Sequence, residues 1–187
     1  MVTRIQRVRV CLSAALWLLT AAACPAATFY WDLNGATPGA SATPTGDWDT
    51  VTANWNSGRP NGDTAPELWD NTADSAVFSA GTDAVNSFAV TVIGTQSPVR
   101  ITFEEGSPTL TGGTLRIGGN GIVSSTAGTA VIDSAITLAA NQTWTNSSNN
   151  TLTIGGNITN GNRLLTIAGT GNTTISGILG NGGGWPD

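Results

Sequence analysis

The chain has 187 residues, 40% hydrophobic and only 10% charged, with 24 glycines, no histidine and seven basic residues that are all arginine. That length supports one modest domain with a core. So little positive charge argues against nucleic-acid binding, which needs clustered Lys or Arg to neutralise phosphates. Without histidine, neither a Ser-His-Asp nor a Cys-His arrangement can be built.

The first element is residues 1–26. MVTRIQRVR supplies Arg4, Arg7 and Arg9, VCLSAALWLLTAAA is an unbroken apolar run, and CPAAT ends in small residues. A basic head, an apolar middle and a small-residue exit describe a secretory signal peptide, and hence a protein that is secreted, periplasmic or at the cell surface. A membrane anchor is the rival reading, but the run is short for a bilayer span, so no membrane span is expected in the processed chain. Cleavage is expected after Ala26 or Ala27. AAAC at 21–24 is a weak lipoprotein alternative that would lipidate Cys24, with Ala21 and Pro25 against it. Cutting after Ala26 removes Cys11 and Cys24 and leaves four arginines against twelve acids, a formal charge of −8. The processed chain then has no thiol for a disulfide, a metal or a nucleophile.

Residues 27–88 form the second region. FYWDLNGATPG, GDWDTVTANWN and ELWDNTADSAVF each set an aromatic beside Asp or Asn, and carry Trp31, Trp48, Trp55 and Trp69. Between them lie Pro-Gly, Asn-Gly and Gly-Asp turn signals, so short strands tied together by buried indoles are expected. From residue 89 to 184 the pattern changes to apolar–x–apolar pairs closed by small or turn residues: V90-T-V92, I101-T-F103, L115-R-I117, I136-T-L138, L152-T-I154 and L165-T-I167. Alternation of period two marks strands with one buried face. TLRIGGN at 114–120 and TLTIGGN at 151–157 are near-copies. Strands this short, stopped by Gly-Gly-Asn or Ala-Ala-Asn, predict an all-β chain coiled into a short right-handed parallel β-helix behind an irregular Trp-rich cap. An antiparallel β-sandwich is the alternative fold. Residues 185–187 are a short tail.

These motifs resemble a family. WDLNG, GDWDTVTANWN and WDNTADSAVFSAGT, followed by AVTVIG, LTIGGN and GILGNGGG, look like autotransporter-associated β-strand repeat proteins, and the likeness runs from Phe29 to Gly184. The resemblance implies an exported, passenger-type protein of a Gram-negative bacterium, built as a right-handed parallel β-helix. Members commonly continue into repeats with a Leu-Thr-Lys-type segment. This sequence contains no Lys and closes on GWPD. It therefore reads as the front portion of a longer protein or as a short relative.

Catalysis is not expected. Glu104 and Glu105 are adjacent, which on a strand sends them to opposite faces, and they read as a solvated strand end. Arg100, Arg116 and Arg163 are far apart in sequence, and Arg116 takes the outward position of L-R-I. D32-L-N34-G and D70-N-T-A-D74 offer oxygens to a cation, but neither completes a binding loop and both suit turns, so no metal or cofactor is expected. The candidate ligand contacts are Trp31, Trp48, Trp55 and Trp69, which would either cap the open end of a coil or, in the rival reading of a secreted carbohydrate-binding module, stack on glycans. Trp144 is expected to be exposed or in a corner. The last stretch, around TISGILGNGGG, shows no cap, so further repeats or end-to-end pairing with another copy are the expected partners. The reading for function is an exported structural or surface-display module, an adhesin-like passenger segment without catalysis.

Overall fold

A computed structural model describes residues 26–72 and 74–180. The expected leader, apart from Ala26, and the expected tail lie outside those residues. Seventeen strands and no helix occupy the described chain: β1 (Thr28–Trp31), β2 (Gly46–Trp48), β3 (Ala53–Ser57), β4 (Glu67–Leu68), β5 (Ser75–Phe78), β6 (Ser87–Gln96), β7 (Arg100–Phe103), β8 (Ser107–Ile117), β9 (Gly121–Ser124), β10 (Ala130–Ile132), β11 (Ala135–Leu138), β12 (Gln142–Asn146), β13 (Leu152–Ile154), β14 (Ile158–Thr159), β15 (Leu165–Ala168), β16 (Thr173–Ile175) and β17 (Leu179–Gly180).

The strands stack as three parallel ladders, and this is a β-solenoid. One ladder runs β1, β5, β7, β9, β12, β15. A second runs β2, β6, the first half of β8, then β10, β13 and β16. The third runs through the second half of β8, then β11, β14 and β17. Among the described residues antiparallel pairing is confined to β1 with β3 and β3 with β4. Five steps of about 4.8 Å make the first ladder roughly 24 Å deep. Parallel pairing already includes β1, β2 and β5, so the Trp-rich region and the coil share strands.

Register gives the repeat that the strand starts conceal. Ile101, Ile122, Trp144 and Ile167 stack in one column, at steps of 21, 22 and 23 residues. Leu110, Ile132, Ile154 and Ile175 stack in another, at steps of 22, 22 and 21. The two near-identical heptads are 37 residues apart and are not equivalent. Leu115 belongs to the third ladder and stacks on Ile136, whereas Leu152 belongs to the second and stacks on Ala130. The heptad encodes a strand followed by a corner, and the coil has more than one such corner per turn.

Apolar–x–apolar pairs place both aliphatics inside. Leu115 and Ile117 are fully buried while Arg116 between them is exposed. The buried side chains form one continuous core from Phe29 to Ile158. Trp144 is buried within the column between Ile122 and Ile167, not exposed or at a corner. Its strand, Q-T-W-T-N, points Gln142, Trp144 and Asn146 inward and the threonines outward. Gln142 Oε1 accepts the indole N–H of Trp144 at 2.8 Å, and Gln142 Nε2 donates to Ile117 O at 3.1 Å. Asn146, fully buried, donates to the Asn150 and Asn172 carbonyls and accepts from the amide and hydroxyl of Ser148. A satisfied interior amide of this kind avoids the desolvation penalty of an unpaired one.

Asparagines after the Ala-Ala and Gly-Gly terminators bridge turns. Asn141 Oδ1 accepts the amide of Leu164, and Asn157 Oδ1 accepts that of Ile178, both at 3.0 Å. Gly156 is required for a different reason: a Cβ there would overlap the Ser134 carbonyl oxygen of the turn beneath.

Candidate functional site at the two ends of the coil

The cap is an aromatic box. Pairing of β1 with β3 sets Trp31 opposite Trp55. Their rings meet edge-on at 5.0 Å. Trp48 at the end of β2 meets Trp69 at 5.3 Å and 88°, and Trp55 lies 5.1 Å from Trp69. Phe78 touches Trp31, Trp48 and Trp55 at 5.4–5.7 Å and stacks on Phe103, which carries the cluster into the coil. Each such pair adds about 0.5–1.5 kcal/mol beyond area burial. Trp31 Nε1 donates to Pro44 O at 2.7 Å.

All four tryptophans are 0% exposed. Stacking on a sugar needs an open indole face, and here each is covered by another ring. The glycan-contact assignment of Trp31, Trp48, Trp55 and Trp69 therefore fails on geometry, and the same residues close the end of the coil.

Beside the box lies a polar notch of about 290 Å³, lined by Pro38, Gly39, Asn61, Asp63, Gly81, Thr82 and Asp83. One of its carboxylates, Asp83, and the neighbouring Asp32 hold loops. Asp83 accepts the amides of Ala40 at 2.7 Å and Ser41 at 3.1 Å. Asp32, fully buried, accepts the Asn34 amide at 2.9 Å and the side-chain amide of Asn56. Burial, and secondarily the nearby Asp83 carboxylate, raise the Asp32 pKa to about 6, against the opposing pull of the Asn34 amide. Asp70 accepts both the amide and the hydroxyl of Thr72. Asp32 and Asp70 thus brace turns, and among the described residues no three His, Cys, Asp or Glu side chains gather as metal ligands.

Glu104 and Glu105 depart from the solvated strand end expected of them. Both are half-buried, because the chain bends there and both amides turn to Phe78 O. Burial raises both carboxyls, and Arg100 partly offsets the effect at Glu104. Arg100 stands on the first ladder, Arg116 on the third and Arg163 in the corner between β14 and β15, so the three cations occupy different parts of the coil. Only Arg100 of the three acts on this pair, through Glu104.

The far end is different. β15, β16 and β17 are the last strands of their ladders among the described residues. Ile167 is 45% exposed and Leu179 52%, although their column partners Trp144 and Ile158 are buried.

No family model, curated protein or solved structure matches the chain. No helix of the described residues is long and apolar enough to cross a membrane.

Proposed function

We propose that this chain is an exported structural module, a stiff coil that displays Thr, Ser and Asn faces at the cell surface in the manner of a passenger or adhesin segment, without catalysis. The observation that supports this reading most is the regular parallel coil itself, which begins at four buried tryptophans and keeps all three ladders through the last described turn. Such a layout suits a unit that is continued or assembled, since solenoid turns contact only their neighbours and need capping where they stop. The leader-like residues 1–26 support export, and the low charge supports a face that contacts partners through hydroxyls and amides. A carbohydrate-binding module relying on the four indoles loses its platform to burial.

Fractionation tests the proposal. The full chain with a C-terminal epitope, produced in a Gram-negative host, is expected to lose about 26 residues and to appear outside the cytoplasm, where added protease removes the epitope from whole cells or the medium carries it. Retention of an unprocessed chain in the cytoplasm overturns the reading.

A further inference from the structure

We propose that the leader is cut between Ala26 and Ala27, and that the α-ammonium group so released is held by the buried carboxylate of Asp74. The inference rests on the export reading and deepens it, by naming the processing site and the residue that receives the new terminus.

The geometry sits where the first ladder begins. β1 and β5 run parallel with Thr28 opposite Ser75. One residue earlier on each strand, the Ala27 nitrogen donates to Asp74 Oδ1 at 2.5 Å, and the Ala27 carbonyl accepts the Ser75 amide at 2.8 Å. Asp74 is only 3% exposed, and its own carbonyl is fixed by the Val99 amide at 2.9 Å, so the carboxylate is preset by the next turn of the coil. Ala27 is half-buried and packs against the core, whereas Ala26 is exposed. The fold therefore takes hold of the chain at Ala27 and leaves the preceding peptide bond at the surface.

Sequence selects the same bond. A leader exit needs small residues at the last and third-last positions. Cutting after Ala26 places Ala26 and Cys24 there, while cutting after Ala27 places Pro25 in the third-last position and discards the Ala27 contacts. Hydrolysis adds water across the Ala26–Ala27 bond, leaving a carboxylate on Ala26 and an amine on Ala27. That amine has an ordinary pKa of about 7.7–8.0 and takes up a proton at neutral pH. A neutral amide facing Asp74 thus becomes a cation facing it, and hydrogen bonds between charged partners are roughly twice as strong as neutral ones. Losing the leader would then tighten the first rung of the coil.

The absence of Lys makes this testable, because the processed chain carries a single nucleophilic amine. Terminal sequencing and intact mass of the protein recovered outside the cytoplasm of an exporting host come first. A start at Ala27 is expected. A start at any other residue overturns the inference and leaves export standing, whereas an unprocessed cytoplasmic chain overturns both.

The contact is read separately, without export, on chains freed from a fusion by a protease that leaves no extra residue. In the chain starting at Ala27, acylation by an amine-reactive ester at neutral pH is expected to run about tenfold slower in the folded protein than in urea, the factor for one unit of pKa. Asp74→Asn is expected to abolish that protection. Should this variant unfold, a chain starting at Ala26 keeps Asp74 but moves the amine one residue out into solvent, and is expected to acylate as fast as the unfolded chain. Equal rates in the folded Ala26-start and Ala27-start chains, or protection that survives in a folded Asp74→Asn variant, overturn the inference.

Discussion

The two ends of this coil solve one problem in opposite ways. Near the N-terminus the chain leaves the parallel scheme, folds β3 and β4 back against β1, and fills the opening with six aromatic rings, those of Phe29, Trp31, Trp48, Trp55, Trp69 and Phe78. At the last described turn it keeps the scheme, with Ile167 and Leu179 half exposed. The difference teaches that stability is graded along the axis: a turn sandwiched between two others is held on both sides, and a terminal turn on one.

That gradient can be broken from the top. Trp48→Ala is expected to cost about 3–5 kcal/mol, because the ring touches Trp55, Trp69 and Phe78 and nothing nearby can refill the space. Urea unfolding followed by circular dichroism measures it, and a loss under about 1 kcal/mol would mean the box is not what closes the end. A second comparison holds chemistry constant and changes position. Ile132→Ala, in the middle of its column, should cost about 2–5 kcal/mol, while Ile167→Ala on the last described rung, half exposed, should cost under about 1 kcal/mol. Equal costs would contradict a graded coil.

The twin heptads give a sharper test. Gly156→Ala should destabilise by about 1–3 kcal/mol, because the turn beneath must move away from the new methyl group. Gly119→Ala, in the matching heptad position, should be nearly neutral, since its nearest neighbour is the Ala140 methyl at 3.6 Å. The smallest effect is on pH. Asp32, Glu104 and Glu105 all have raised pKa values through burial, so the fold favours their protonated forms. Their stabilising contribution is complete below the ordinary carboxylate range and is lost as pH rises through about 6, the value for Asp32. The melting temperature by calorimetry should therefore fall from pH 5 to pH 7, and Asp32→Asn should flatten that slope. A melting temperature that climbs over the same interval contradicts the assignment.

Much of the coil was legible residue by residue. L115-R-I117 announces an inward pair about an outward arginine, and the structure has that arrangement. The Trp-rich segment reads as a buried cap because each indole sits among turn residues that cannot form long elements. The period was hidden. Each turn spends its 21–23 residues on three short strands joined by corners of unequal length, so strand starts look irregular and the true neighbours are not the next strands in sequence. Asn146 was hidden by its company, because N-S-S-N-N looks like solvent-facing turn chemistry. The available clue was the alternation of Q-T-W-T-N, where threonine at every second place assigns the other three residues to the interior. The exposure of Ile167 and Leu179 was not legible, since exposure belongs to the column and not to any single residue.

The location of the aromatic box also bears on how the chain reaches this state. Translation delivers the N-terminal half first, and once β5 has docked beside β1 the nascent chain owns a finished template. Each following stretch of about 22 residues can then zip onto the turn just completed, a search confined to near neighbours in sequence and hence entropically cheap. A coil of this kind can therefore grow vectorially, each turn serving as the template for the next.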